Sequence, residues 1–494
     1  MSFTLSKSRY CNAVQCPKIL WMHKYMPQEF DSSVLNEAVF NTGNEVGDLA
    51  MGIFGDYTEV PYGDPGEMIQ LTQELIQAET PVICEASFSF KGLFCSVDIL
   101  KNFGHNIVEL YEVKSSTSVS PIYVDDISYQ VYVLRKLGYD VRRACLIHLN
   151  KNYVRFGELN LRELFTMVDL TSQVNDNAAS VESTIEFLRG YMRKRREPQE
   201  TIGTHCFSPY HCGFFPHCAN DLPHPNVFDL KRTQLNTRMK LYESGFVSFE
   251  DLYHSGKLSD QAATQVRYEL EELPDHINIP KLKEFLTTIS YPLYYLDFET
   301  FQPAIPRYDA SSPYDQIPFQ YSLHYQKEKH GKLYHKEYLA YPYEDPRRNL
   351  AEQLCKDIPE NVTVLAYNMA FEKGRIRELA ALYPEYAEHL LNIHDNMKDL
   401  MIPFQQRHYY TRAMHGSYSI KYVLPALYPD DPELDYHSLE GVHNGAEASS
   451  TFLQMLSMDH DTLEEYRGYL LSYCKLDTFA MVKVLDRLYE VTEQ

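Results

Sequence analysis

The sequence predicts an α/β protein of two units joined by a helical connector, and three observations lead there. A chain of 494 residues exceeds what one core supports, at roughly 150 residues per domain. Short β-like runs mixed with helical patterns occur in two separate stretches, about 82–150 and from about Ile289 onward. Between them, residues 229–275 carry Leu, Met, Tyr and Val at helical spacing with no β-like run. The expected domains are therefore 1–222, a connector 223–286, and 287–494.

Composition narrows the class. Hydrophobic residues make up 44% and charged residues 23% of the chain, as in ordinary globular proteins. No apolar stretch reaches the ~18 residues a membrane span needs, and the start has no signal-peptide core, so a cytoplasmic protein without a membrane partner is expected. In that reducing compartment the ten cysteines read as buried thiols or metal ligands. A formal charge of −22 argues against coating duplex DNA, because phosphate contacts need Lys and Arg. The best basic run is Arg189, Arg193, Lys194, Arg195 and Arg196, expected on a helix that ends near 196.

In the first unit, residues 34–54 have helical spacing. The runs CEASFSF, LFCSVDIL and NIVELYEVKSS, separated by turn signals, read as an antiparallel meander. A helix from about Asp125 to Leu137 and the strand RRACLIHLN follow. Asp98 lies at the end of one run, and thirteen residues separate it from Glu112-Val113-Lys114. Alternate strand residues share a face, so Glu112 and Lys114 converge while Val113 points away. Two carboxylates and an amine suit phosphodiester hydrolysis: the carboxylates hold Mg²⁺ or Mn²⁺ and the Lys steadies developing charge.

Residues 1–220 resemble RecB-like nucleases of the PD-(D/E)XK superfamily. Phe40-Asn41-Thr42-Gly43-Asn44-Glu45-Val46-Gly47 is similar to their glycine-containing opening helix, and Gln130 in DISYQVYVL to their glutamine motif. The resemblance implies Asp98 and Glu112 as metal ligands, with Lys114 and Gln130 as catalytic residues. Asn44 and Glu45 stand where many members have a His ligand, and Leu134 stands where a tyrosine is usual, with Tyr132 nearby.

Cys206, Cys212 and Cys218 recur every six residues, each preceded by a histidine (His205, His211, His217), in a segment too turn-rich for a long helix. Cys16 in Cys16-Pro17-Lys18 is the expected fourth thiol, with Cys11 as the alternative. The pattern resembles the CRISPR-associated RecB-like and AddB-type nucleases, in which one N-terminal and three C-terminal cysteines hold a 4Fe-4S cluster. Four thiolates also suit tetrahedral Zn²⁺.

In the last unit, Asp297 and Glu299 end the apolar run YPLYYLDFET, two carboxylates on one strand face. Asn368 and Glu372 fall at a strand-to-helix junction, and Tyr473 and Asp477 are spaced i, i+4 on a helix. Four carboxylates from three segments can hold two metals about 4 Å apart. This order resembles the DEDDy pattern of DnaQ-like 3′–5′ exonucleases on an RNase H-like fold. It implies metal ligation by Asp297, Glu299, Glu372 and Asp477, and water orientation by Tyr473. Asp399 is the reserve ligand, Ser472 stands where a DEDDh enzyme has its histidine, and Gly416–Lys421 is similar to the segment before the last motif.

The whole resembles a bacterial uncharacterised family that joins a RecB-like domain to a DnaQ-like one. The expected function is a metal-dependent exonuclease on single-stranded or free DNA ends, in repair or in defence against foreign DNA. The 39 tyrosines offer stacking surfaces, and no G-x-x-x-x-G-K-[ST] signals an ATP-driven motor. The alternatives are a nucleic-acid-binding scaffold with inactive sites and an RNA 3′ exonuclease.

Overall fold

The structure is a computed structural model and describes residues 4–34 and 37–493. It is a mixed α/β chain that divides into two compact units, Met1–Asp221 with Pro303–Tyr314, and Leu222–Gln302 with Asp315–Gln494. The break after Asp221 falls beside the expected 222. Two features differ from the expected domains. The connector 223–286 belongs to the second unit, and twelve residues after the first C-terminal strand belong to the first.

The first unit opens with β1 (Leu5–Ser6), α1 (Lys7–Gln15), α2 (Pro17–Tyr25) and α3 (Glu37–Met51). Residues 35 and 36, within the helical stretch expected at 34–54, lie outside the described residues. Then come β2 (Thr58–Glu59), α4 (Pro65–Gln77), β3 (Val82–Phe90), β4 (Leu93–Asn102), β5 (Ile107–Lys114), α5 (Pro121–Lys136), β6 (Asp140–Leu149), α6 (Leu161–Leu164), β7 (Phe165–Asp169), α7 (Thr171–Tyr191) and the single turn α8 (Phe215–Cys218). The sheet order is β2-β3-β4-β5-β6-β7, with β1 added in parallel on β4. The meander β3-β4-β5 is antiparallel as expected, whereas β6 runs parallel to β5, because α5 crosses over between them.

Burial follows the pleat. Leu93, Cys95, Val97 and Leu100 of β4 join Ile127, Val131 and Leu134 of α5 in one core, while Ile99 joins the cluster of Tyr111, Val113 and Ile147 on the other face, so Asp98, two residues before Leu100, shares the face toward α5. The helix α7 stops at Tyr191 and leaves Arg193–Arg196 exposed beyond its end, so the basic run is not a helical face. The segment Pro303–Tyr314 supplies Ala304 and Ile305 to the cluster around Val113, Ile147 and Leu149. It is held by Arg155 Nη1, which donates to the Pro306 and Arg307 carbonyls at 2.9 Å, and by the Tyr314 hydroxyl, which donates to the Ser115 carbonyl at 2.6 Å.

The second unit begins with three helices, α9 (Leu235–Glu243), α10 (Phe249–Ser255) and α11 (Asp260–Glu271), packed on one another through Leu241, Phe249, Leu252 and Val266. After β8 (His276–Ile277) and α12 (Ile279–Leu286) come β9 (Leu293–Phe301), β10 (Ile317–Gln326), β11 (Leu333–Leu339), α13 (Pro346–Asp357), β12 (Thr363–Ala366), α14 (Ala370–Leu382), α15 (Pro384–Asp395) and β13 (Met397–Asp399). The chain closes with α16 (Ile402–Gln405), β14 (Tyr409–Tyr410), α17 (Ile420–Leu427), α18 (Gly445–Gln454) and α19 (His460–Glu493). The sheet order is β11-β10-β9-β12-β13, antiparallel up to β9 and parallel beyond it. Pro384 separates α14 from α15, as a ring lacking N–H does at a helix start. Among the described residues, no helix is long and apolar enough to cross a membrane.

Candidate functional site

Three groups of expected residues assemble. In the first unit, β4 and β5 pair with Ile99 opposite Tyr111, and this register sets Asp98 beside Glu112 on one face. Asp98 Oδ2 accepts the Val113 N–H at 2.7 Å. Glu112 is fully buried and accepts from Lys114 Nζ at 2.5 Å and Gln130 Nε2 at 2.7 Å. All four expected residues of this site thus meet. Residues unmarked by the sequence join them: Asp126 of α5 takes Lys114 at 2.8 Å and Gln130 at 2.9 Å, and Lys7 of α1 reaches Asp98 and Glu112. On β3, opposite Asp98 by register, Glu85 stands in the left-handed region (φ 56°), a conformation rare for a residue with a Cβ. Asn44 and Glu45 of α3 are exposed.

Burial alone pushes the Glu112 carboxyl up, but the Lys114 and Lys7 ammoniums more than reverse it and hold it well below the usual carboxylate range. Asp98 keeps the opposite sign. Its burial and the Glu112 charge push it up to about 6. Glu85 likewise rises to about 7, through burial and the Asp98 charge.

The second group is the cysteines. Cys16, Cys206, Cys212 and Cys218 line one small void together with Ile19, Met22 and Phe214. Cys11, left as the alternative, lies instead by the lysines of the Asp98 site, where burial and the Asp126 charge push its thiol up. The loop is pinned to the N-terminal helices: Gln15 Nε2 donates to the His205 and Tyr210 carbonyls at 2.7 Å, and Trp21 Nε1 donates to the Lys194 carbonyl at 3.0 Å. His217 has both ring nitrogens on carboxylates, Glu29 at 3.3 Å and Glu197 at 3.1 Å, so it is no part of a thiol-centred ligand set. Buried Lys18, paired with Glu197 at 2.6 Å, places a cation beside Cys218 that the sequence did not announce.

The third group lies in the second unit. A cleft of about 340 Å³ is lined by Asp297, Glu299, Asn368, Glu372, Tyr473 and Asp477, which are all the residues expected there, along with Phe298 and Phe371. Asp297 and Glu299 come from β9, Glu372 from the first turn of α14, and Tyr473 and Asp477 from one face of α19. Asn368 turns the chain from β12 into α14 with φ 70°, a left-handed conformation asparagine tolerates. Asp399, the reserve ligand, is engaged by backbone. It accepts the N–H groups of Asn368, Met369 and Met401 at 2.9, 3.2 and 2.9 Å, and so builds the loop that presents Glu372. Three further groups belong to the cleft: Tyr436, whose hydroxyl donates to Asp477 at 2.6 Å; Lys421, 3.4 Å from the Tyr473 hydroxyl; and Cys474, 3.9 Å from Asp297 Oδ2. Only Lys421 had a signal, in the Gly416–Lys421 segment.

These carboxyls all sit above their ordinary range. Burial first and neighbouring carboxylates second push Asp297 and Glu299 well up. Burial takes Glu372 to about 8 and Asp477 to about 6. Glu372 Oε2 is buried with no hydrogen-bond partner. Among the described residues, one group of three ligand atoms lies within 4.8 Å, that of Asp297, Glu299 and Cys474. Its two carboxylates are hard oxygen ligands that suit a divalent cation, beside the softer Cys474 sulfur.

Residues 294–419 match the model of a family described as a domain of unknown function, DUF2779. That stretch contains Asp297, Glu299, Glu372 and Asp399 and stops before Tyr473 and Asp477. Comparisons with curated proteins and with solved structures give no match.

Proposed function

We propose that the chain is a metal-dependent nuclease with two hydrolytic centres, acting on single-stranded or free ends of DNA. The second unit is read as an RNase H-like 3′–5′ exonuclease of DEDDy type and the first as a PD-(D/E)XK nuclease of RecB-like kind. One observation carries the reading. Three buried carboxylates and the half-buried Asp297, from three distant segments, line one cleft; the cations that act on them are the exposed Lys421 and, at Glu372, Arg375, and Glu372 Oε2 has no hydrogen-bond partner. Burying that much like charge without compensation is costly, so the arrangement is best explained by cations it receives. Two divalent ions bound there would supply charge for the attacking and leaving oxygens of phosphodiester cleavage.

The chain's own groups have distinct parts. Tyr473 presents its hydroxyl over the cleft to orient the attacking water. Tyr436 fixes Asp477 by its 2.6 Å hydrogen bond. Lys421 offers a positive charge at the rim for a phosphate. In the first unit Lys114, held between Glu112 and Asp126, is the cation for developing charge at a phosphate.

The four cysteines fit a 4Fe-4S cluster. Their sulfurs are absent from the groups of three within 4.8 Å, whereas thiolates about 2.3 Å from one tetrahedral zinc would sit closer than ~4 Å to one another. This wider spread supports the cluster over Zn²⁺. Its role is to tie α2 to the loop after α7.

The test uses anaerobically purified protein with end-labelled single-stranded DNA or RNA and Mg²⁺ or Mn²⁺. Shortening from the 3′ end is expected, lost in Asp297→Asn and retained in Lys114→Ala. A wild-type chain inert on both polymers with either ion would overturn the reading, and a preference for RNA would make it an RNA 3′ exonuclease.

A further inference from the structure

The site at Asp98 and Glu112 already contains a cation, and it is one of the chain's own. Lys7 is the first residue of α1, brought to the carboxylates because β1 pairs alongside β4, Leu5 with Leu93 and Ser6 with Phe94. Its Nζ lies 2.9 and 3.1 Å from the two oxygens of Glu112 and 3.5 Å from Asp98 Oδ1.

A carboxylate offers about four lone-pair positions. On Glu112 all four are taken: Oε1 by Lys7 and Lys114, Oε2 by Lys7 and Gln130. Asp98 Oδ2 is taken by the Val113 N–H. A divalent ion bridging Asp98 and Glu112 therefore enters only if a donor leaves.

The donors are not equally held. Lys114 and Gln130 are each tied at a second point to Asp126, at 2.8 and 2.9 Å. Lys7 hydrogen-bonds to the two prospective ligands alone on a flexible stem, with its side chain exposed much as that of Lys114 is, 21% against 24%. Lys7 is thus the donor that no second group anchors, and it stands between the two carboxylates, where a bridging ion would stand.

We propose that Lys7 is a resident counter-ion of the N-terminal nuclease site, which a divalent metal must displace to bind Asp98 and Glu112. The chain then stays folded without metal, since Glu112 is never left as a buried unpaired charge. Metal occupancy becomes a competition between one ammonium and one divalent ion, so this site fills at higher metal concentration than its carboxylates alone would need.

The inference rests on the reading of Asp98 and Glu112 as metal ligands, and the experiment separates the two. Mn²⁺ binding is measured by electron paramagnetic resonance on the full chain carrying Asp297→Asn and Asp477→Asn, which silences the other carboxylate site. Adding Lys7→Met is expected to tighten Mn²⁺ binding about tenfold, a coupling of ordinary size between competing sites. It should also enlarge the rise in melting temperature that Mn²⁺ produces. Lys7→Gln should act in the same direction should Lys7→Met fail to fold, and Lys7→Arg should leave the affinity near that of the parent. If Glu112→Gln binds Mn²⁺ like the parent, the ligand reading is wrong. If Glu112→Gln abolishes binding while neither Lys7 variant binds more tightly than the parent, Lys7 is not a competitor and the proposal fails.

Discussion

The two carboxylate sites solve the burial of charge in opposite ways. Around Glu112, two ammoniums and a glutamine amide surround one fully buried carboxylate, and the group stays ionised with no external ion. Around Asp297, four carboxyls have the exposed Lys421 and, at Glu372, Arg375 as their cations, and all four are pushed above their ordinary range. The first site is balanced from within and the second draws its balance from solvent, as protons or as metal. Difference in charge, more than difference in fold, separates what each site asks of a cation.

The largest effect that would sharpen this contrast is on catalysis. Asp477→Asn removes a proposed metal ligand, and its loss should cost several kcal/mol of transition-state stabilisation, or about 10³-fold in rate. Gel assays of 3′ shortening with Mg²⁺ should show that loss, and a decrease under tenfold would mean Asp477 does not hold metal.

Next in size is the internal balance of the first site. Lys114→Met leaves Glu112 with one ammonium and Asp126 with only the Gln130 amide, and breaking such a buried pair costs about 3 kcal/mol. Urea unfolding should register it; a change below about 0.5 kcal/mol, the scale of an ordinary surface substitution, would remove the distinction between the sites.

A smaller signature separates them by pH. Glu372 keeps its proton up to about pH 8 in the folded chain, against an ordinary value of 4.5. Between those pH values folding takes up a proton, so metal-free stability falls as pH rises through the window. The melting temperature should drop on the order of a few degrees from pH 5 to 8, and Glu372→Gln should flatten the slope. Saturating Mg²⁺ should reverse it, because the ion binds the ionised carboxylates. A chain without metal that grows more stable up to pH 8 contradicts the assignment.

Smallest is Asp399→Asn. Loss of charged acceptance of three backbone N–H groups should cost about 1–3 kcal/mol while leaving Asp297 and Glu299 in place. Calorimetric Mn²⁺ titration should give an affinity within a few-fold of wild type. An affinity lost outright would make Asp399 a ligand after all.

Much of both sites was legible because strand alternation and helix periodicity fix which side chains share a face. Glu112 with Lys114, Asp297 with Glu299, and Tyr473 with Asp477 are each a local spacing that survives folding. What escaped notice came from other elements. Lys7, Asp126 and Tyr436 reach their sites only through β1 pairing on β4, α5 crossing the sheet, or the loop before α18 folding back, and no local pattern encodes those approaches. Asp399 was legible as an acid at a strand end but not as a backbone acceptor, since nothing in MKDLM shows that three N–H groups converge on it. The four cysteines were found by spacing, and the choice of Cys16 over Cys11 awaited the turn between α1 and α2. The end of α7 was misplaced because Arg and Lys are good helix formers, while the Pro198 beyond them ended the pattern late.

The strip Pro303–Tyr314 bears on how such a chain can be inherited. It is spliced between two neighbouring strands of one unit, yet Ala304 and Ile305 complete the hydrophobic interior of the other. A gene fragment ending at Asp221 would encode a body missing two of its own interior side chains, and one starting at Leu222 would carry an orphaned loop. Recombination at the obvious border would therefore damage both products, so the halves are bound to travel and diverge as one hereditary unit.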